Sequence, residues 1–380
     1  CMLLLHSHIP ILVLTCTFNS IRSHSLTGLS AMHRSRFSFG AITDIQYADA
    51  DDAHNFDKTA IRSFRNSPVI LETAVNSWNE ERVAFVAQLG DLVDGRSKKA
   101  GQSEKDLKTV MDIFAKCNSD VHHLVGNHDL YNFERSDPKW KELFHLSQDG
   151  DSFYSFSPAE GFKVLVLDAY EISTCGPARG TVEDAWQLLQ EQNKNDVRDD
   201  AGDWYKDMVG VMKRWVPPNG ALSDIQLQWL GKELSAADAK GEKAIILSHV
   251  PLLPRTDEDP NFLWNYDAVM RILHEHTSVV LVLSGHDHAG GYVLDTTGVH
   301  HVTLPSPLNC KGGAVAFATV DVADDAILLR GRGDVPVMTL PYDVKTEEQL
   351  RYGSIHDMPN PFGLEDPTLG REHPKRQRAS

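Results

Sequence analysis

Short apolar runs recur along the chain, with amphipathic segments between them. RFSFGAI ends at Ile42 and predicts a strand. From Ser67 to Glu81 the residues Leu71, Ala74, Val75 and Trp78 share one face, which predicts a helix; Ser67 can cap it and Pro68 suits its first turn. VAFVAQL (83–89) is continuously apolar, as in a strand buried on both faces. Leu107, Val110, Met111 and Phe114 mark a second amphipathic helix in SEKDLKTVMDIFAKC. VHHLV (121–125) and FKVLVLDA (162–169) predict strands. The capping-box pattern from Ser223 to Gln226 opens a helix that carries Leu227, Leu230 and Leu234. KAIILS (243–248) and VVLVLS (279–284) are strands with a helix near 266–276 between them. GVHHVTL, AVAFATVDV and AILLRGR follow as consecutive strands.

One long polar stretch, about 172–222, breaks this rhythm. It is too long for an ordinary connection and predicts an insertion with its own helices. There is no repeat and no linker, so 35–343 is expected to be one domain. Residues 344–380 are expected to be a polar tail. Residues 1–34 are expected to be a leader or a disordered segment; IPILVLTCTF (9–18) is too short to span a bilayer.

The formal net charge of −16 argues against nucleic acid or an anionic membrane as partner, since both need a cationic footprint. It leaves a phosphate substrate open, because a bound cation reverses the local field. The five cysteines are scattered, which fits reduced thiols in a cytoplasmic protein.

Chemistry concentrates where the strands stop. The first strand is followed by Asp44 and Gln46, the second by GDLVDG with Asp91, and the third by GNHD with Asn127, His128 and Asp129. His249 follows KAIILS, and GHDH, with His286 and His288, follows VVLVLS. On an extended backbone Asp44 and Gln46 would point the same way. In α/β sheets, sites form where the carboxyl ends of strands converge. Two Asp, one Asn, one Gln and three His supply oxygen and imidazole donors without a thiolate. Such a set suits Mn²⁺, Mg²⁺ or Fe better than structural zinc. Seven donors are too many for one ion and suit two, with one carboxylate bridging. Singly each feature is ordinary turn chemistry; five in order are not.

The series TDIQ, GDLVDG, GNHD, SHVP and GHDH resembles the calcineurin-like metallophosphoesterase superfamily. The glutamine of the first motif, with HNF at 54–56, LDAYEIS, WNY at 264–266 and LRGRGDVP, is similar to the manganese-dependent ADP-ribose/CDP-alcohol diphosphatase family. The resemblance covers most of residues 36–342. It implies an α/β, four-layer αββα sandwich, with two mixed sheets flanked by helices. It implies that Asp44, Gln46 and His288 hold one metal, that Asn127, His249 and His286 hold the other, and that Asp91 bridges them. His128 would be the general acid, oriented by Asp129. The cofactor would be two divalent ions, Mn²⁺ first, with Mg²⁺, Fe or Zn as alternatives. The substrate would be a nucleoside diphosphate-linked small molecule such as ADP-ribose or CDP-choline. Water activated between the metals would attack one phosphorus of the pyrophosphate and release a nucleoside monophosphate. A monomer acting on neither nucleic acid nor membranes is expected.

Other features carry less. His122/His123 and His300/His301 suggest metal, but in an alternating strand one of each pair faces away. Phe56, Phe262, Trp264 or Tyr266 could stack a nucleobase, or Trp264 and Tyr266 could anchor the next helix. Arg330 and Arg332 could meet phosphate or form an edge-strand salt bridge. A cyclic-nucleotide phosphodiesterase would be expected to have His where Gln46 stands. A phosphoprotein phosphatase would carry Arg at Gly95. A scaffold that has lost its ligands would not retain every donor.

Overall fold

The structure is a computed structural model, and it describes residues 35–55, 58–147, 149–199, 202–256 and 258–343. The expected N-terminal leader, the C-terminal tail and Phe56 lie outside the described residues.

Two mixed six-stranded sheets form the centre. The first runs in the order β16 (Val337–Pro341), β15 (Ala326–Gly333), β14 (Ala316–Val322), β1 (Phe37–Ile42), β4 (Phe85–Gln88) and β5 (Asp120–His123). The second runs β12 (Gly291–Leu294), β13 (His300–Thr303), β11 (Val279–Ser284), β10 (Lys243–Leu247), β7 (Phe162–Val166) and β6 (Tyr154–Phe156). Two short ribbons, β2 (Ala53–His54) with β3 (Ile61–Arg62) and β8 (Ile172–Ser173) with β9 (Gly220–Ala221), lie outside them.

The strands β1, β4 and β5 of the first sheet and β7, β10, β11 and β13 of the second run parallel, and β4 and β11 are buried along their whole length, which is why VAFVAQL and VVLVLS read as apolar runs. The sheets meet through aromatic side chains. Phe37 of β1 packs edge-on to Phe162 of β7 at 5.4 Å, and Phe85 of β4 packs edge-on to Phe156 of β6 at 5.1 Å. Helices α1 (Ser67–Glu81) and α3 (Ser103–Phe114) pack together on the first sheet's side. Helices α7 (Asp224–Lys240) and α8 (Tyr266–His274) do so on the second sheet's side. The layers are therefore helix, sheet, sheet, helix. Trp78 anchors α1 by donating from Nε1 to the Ala318 carbonyl of β14 at 3.0 Å. The three last strands foreseen by the apolar pattern separate here: β13 joins the second sheet, while β14 and β15 join the first.

Ser223 caps α7 as its pattern predicts, accepting from the Gln226 N–H. Ser67 does not cap α1. A single 3-10 turn, Phe64–Asn66, leads directly into the helix, so Asn66 already has helical angles and the Ser67 hydroxyl is buried without a partner. Residues 172–222 contain β8, α6 (Val182–Gln192), a 3-10 turn and β9. They gather around a small apolar cluster of their own, which includes Leu189, Val197 and Trp215, with Trp264 packed into it. No helix among the described residues is long and apolar enough to cross a membrane.

Candidate metal centre

Strands β1 and β4 stop at Ile42 and Gln88, and the loops after them run side by side. The Asp44 N–H donates to the Gly90 carbonyl and the Gln46 N–H to the Asp91 carbonyl, both at 3.0 Å. Beyond β5, Gly126 leads into the short helix α4 (Asn127–Asn132). In the second sheet, the Gly285 N–H donates to the His249 carbonyl at 2.9 Å. Bonds between the two systems join them, among them one from the His286 N–H to Asp44 Oδ2 at 2.9 Å. The seven expected donors thus stand on five loops at one end of both sheets.

The backbone that delivers them is strained. Asp44, Gln46, Asp91 and His286 have φ of 47°, 40°, 65° and 65°. The extended path expected through Asp44 and Gln46 is not what the structure shows. The ladder of β1 ends at Ile42, and the chain turns to bond with the loop at 90–92 instead. The two side chains still converge, with Gln46 Nε2 at 3.4 Å from Asp44 Oδ1 and 2.7 Å from Asp91 Oδ2. Left-handed non-glycine residues cost about 1–3 kcal/mol each and persist where surrounding bonds over-determine them, commonly at functional sites. Two glycines permit the approach. A Cβ on Gly126 would overlap the Asp91 carboxylate, and one on Gly285 would overlap Thr43 and Asp44.

Asp44, Asp91 and His249 are fully buried and offer ligand atoms within 4.8 Å of one another. Burial, with Asp44 and Asp129 nearby, pushes the Asp91 carboxyl well above its usual range. Burial also works against ionised Asp44, but His288 and His249 beside it and the Thr43 hydroxyl hold it below that range. His288 Nε2 lies 3.3 Å from Asp44 Oδ1 and 3.0 Å from the Gln46 amide nitrogen. His249 donates from Nδ1 to the Leu89 carbonyl at 2.7 Å, which leaves the lone pair on Nε2. That Nε2 is buried without a hydrogen-bond partner, and so is Gln46 Oε1. Two buried acceptors lacking donors beside two buried carboxylates are what a cation would satisfy. The donor set fits divalent ions. An amide offers a metal only its oxygen, so Gln46 would hold one with its amide turned over.

Asn127 accepts from the Tyr170 hydroxyl at 3.1 Å. His286 lies against His249, with ring centroids 5.2 Å apart.

His128 sits beside this cluster, but Asp129 does not orient it. The Asp129 carboxylate is taken up by three backbone N–H groups, of Asp91, Leu92 and Gly126, each at 2.9 Å. Its position at the start of α4 makes it a brace for the glycine-flanked loops. The His128 ring is held instead by the start of the short helix α2 (Gly95–Lys99) and its N-cap residue Asp94. Its Nδ1 accepts from the Gly95 N–H at 3.0 Å and lies 3.3 Å from Asp94 Oδ2. The residue doing this is the second Asp of GDLVDG, visible in the motif but overlooked beside Asp91. Burial lowers the ring's pKa to about 4, against the pull of Asp94.

A family model described as calcineurin-like phosphoesterase matches residues 37–290. The chain belongs to the calcineurin-like phosphoesterase family. A relative from Arabidopsis thaliana, named manganese-dependent ADP-ribose/CDP-alcohol diphosphatase, is 40% identical over 311 residues, covering 80% of this chain and 96% of the relative. One of the same name from Danio rerio is 36% identical over 325 residues, covering 80% and 98%. The fold of a dimetal phosphatase from Danio rerio superposes with a TM-score of 0.75 at 36% identity, covering 81% of this chain and all of that one.

In this phosphoesterase a cavity of about 720 Å³ opens onto His128, Asp94 and Gly95. Five cations, Arg62, Arg96, Lys98, Lys99 and Arg198, reach it from an otherwise acidic chain. Its aromatic lining is Tyr131, Trp186 and Trp204. Trp264 and Tyr266 do not line it. Trp264 is fully buried, donates to the Val216 carbonyl at 3.1 Å and stacks on Trp215. Tyr266 and Phe262 pack edge to face, with the Arg214 guanidinium over both rings. They anchor α8 and the 172–222 segment. Phe56 lies outside the described residues, although its neighbours His54 and Asn55 line the cavity.

The paired histidines are structural. His122 stacks on Phe156 and bonds Tyr154, His123 meets Gln88, His300 meets Tyr292 and the Pro341 carbonyl, and His301 meets Asp295. Arg330 forms a salt bridge with Asp321 and Glu81, but β15 lies between β16 and β14 and is not the edge strand expected.

Proposed function

We propose that this protein hydrolyses the pyrophosphate bond of ADP-ribose, CDP-alcohols and related nucleoside diphosphate-linked molecules, with manganese as its metal. One observation carries the reading. Two buried carboxylates stand beside an imidazole and an amide whose acceptor atoms lack partners, next to a cavity lined by five cations. The names of the relatives supply the substrate class.

Asp44, Gln46 and His288 would hold one metal, Asn127, His249 and His286 the other, with Asp91 between. Two such ions supply a clamp for phosphoryl oxygens and an activated water. Cationic side chains in the cavity bind the second phosphate. His128 keeps its ring proton on Nε2, because Nδ1 accepts from Gly95. To give that proton to the departing phosphate oxygen the ring first takes a second proton on Nδ1, facing the Asp94 carboxylate 3.3 Å away, so that an imidazolium returns to neutral imidazole as it donates.

The test is a panel of ADP-ribose, CDP-choline, 3′,5′-cyclic AMP and p-nitrophenyl phosphate, each with Mn²⁺. Release of AMP and CMP from the first two, abolished by chelator and restored by Mn²⁺, is expected. Cyclic AMP cleavage without pyrophosphate cleavage would refute the reading.

Gln46 sets the metal preference. An amide oxygen is a harder donor than imidazole, so Gln46→His should keep activity but shift preference from Mn²⁺ toward Zn²⁺. Rates with each metal, measured side by side, decide it; an unchanged Mn²⁺ preference removes that role from Gln46.

A further inference from the structure

The 172–222 segment ends in Pro217, Pro218, Asn219 and Gly220, a sequence that reads as a turn. The structure brings this turn against the metal centre. A Cβ on Gly220 would overlap the Ala169 carbonyl, so glycine lets the turn close on the chain leaving β7. The Thr174 hydroxyl donates to the Pro217 carbonyl and the Tyr170 hydroxyl to the Pro218 carbonyl, both at 3.1 Å. Asn219 is fully buried between them.

Its amide has one orientation. Nδ2 donates to the Arg214 carbonyl at 2.8 Å and to the Pro260 carbonyl at 2.7 Å. Turning the amide over would set its oxygen against both carbonyls. Oδ1 therefore faces His286 Nε2, 2.9 Å away, as an acceptor. Nε2 must carry the ring proton, and the lone pair falls on Nδ1. His249 is fixed in the opposite sense, with its proton on Nδ1 and its lone pair on Nε2.

We infer that Asn219 is a positioning residue that sets the tautomer and ring orientation of His286, making the 172–222 segment part of the second metal position. The inference rests on the proposed metal assignment. A partner that fixes the tautomer of a ligating histidine typically changes metal affinity about 10–100-fold when removed. The same turn supports Asn127 through Tyr170, whose hydroxyl lies 3.1 Å from both Asn127 Oδ1 and the Pro218 carbonyl. Two of the second metal's three dedicated donors are thus held from one turn.

The two halves of the amide can be tested apart. Asn219→Ala loses the acceptor and both donors. Asn219→Asp loses both donors but keeps an acceptor for His286. Full-length protein freed of metal by chelation is titrated with Mn²⁺ alone, following free Mn²⁺ by electron paramagnetic resonance, with thermal melts of the metal-free proteins alongside. Wild type is expected to bind two ions. The Ala variant should keep the first and bind the second about 10–100-fold more weakly. The Asp variant should bind the second nearly as wild type, although both variants melt lower. Wild-type affinity in the Ala variant, or equal weakening in both, would overturn the inference and leave the diphosphatase reading intact. Failure of wild type to take up two ions would strike the metal assignment itself.

A second measurement needs no variant. Nitrogen-15 shifts of the metal-free wild-type protein should show His286 protonated at Nε2. Protonation at Nδ1 would overturn the inference.

Discussion

Asp91→Asn should remove tight Mn²⁺ binding at both positions and cut pyrophosphate hydrolysis by ~10³-fold or more, since a metal clamp is worth several kcal/mol and each 1.4 kcal/mol is a decade in rate. The expected effect on stability has the opposite sign. In the metal-free protein the Asp91 carboxyl is buried with Asp44 and Asp129 near it, and its pKa is raised. The folded state then holds a proton that the unfolded state releases, so stability through this group falls as pH rises above the ordinary carboxylate range. An asparagine removes that slope. It also keeps the bond from the His128 N–H to Oδ1, which is 2.8 Å in the wild type. Gln46 can turn its unpartnered Oε1 toward the new amide nitrogen.

Metal-free Asp91→Asn is therefore expected to melt at or above metal-free wild type at neutral pH. Added Mn²⁺ should raise the wild-type melting point and leave the variant's unmoved, because a ligand stabilises only a fold that binds it, by about 2.7 kcal/mol at a hundred times its Kd. Paired melts with chelator and with Mn²⁺, plus metal analysis, check both halves. A variant that keeps two ions and full activity would end the shared-carboxylate assignment.

The positions of the donors were legible because the rule behind them is local. Each apolar run stops at a defined residue, and the next few residues are carried to the same end of the sheets. Asp44, Asp91, Asn127, His249 and His286 could be read from that alone. What could not be read depends on contacts far apart in sequence. The left-handed turn at Asp44 and Gln46 exists because the loop at 90–92 offers carbonyls to it. The resemblance implied that Asp129 orients His128, yet three backbone N–H groups claim it. Trp264 could be read as a stacking platform or as an anchor for the next helix, and the apolar cluster of the 172–222 segment, which absorbs it, decides for the anchor. Asn219 was invisible for the converse reason. Its turn-like setting explains an Asn-Gly pair completely until His286, 67 residues away, is brought beside it.

The second large effect concerns His128. His128→Asn should lower kcat for ADP-ribose by about 10²–10⁴-fold, the range for a lost general acid, while two Mn²⁺ still bind. Its ring forms hydrogen-bond and charge contacts with Gly95 and Asp94 on the cavity side, not with the buried carboxylates of Asp44 and Asp91. Metal uptake and turnover should therefore separate in this variant, as they cannot at Asp91. The loss should also depend on the leaving group. A departing phosphate monoester is a weak base, with a second pKa near 6 by comparison with phosphorylated side chains. It needs less of a proton than an alkoxide does. The variant should therefore be impaired least on pyrophosphates, more on phenyl phosphodiesters, whose phenol titrates at about 10, and most on simple alkyl diesters. KM should change little where chemistry is slower than substrate release, because the lost interaction strengthens in the transition state. Asp94→Asn should follow the same order with a smaller loss, since it removes only the charge behind the ring. Measuring kcat and KM for the three leaving groups in each variant decides the matter. A uniform loss across all three, or loss of both metals from His128→Asn, would make His128 a structural support for α4 and leave the proton to another donor.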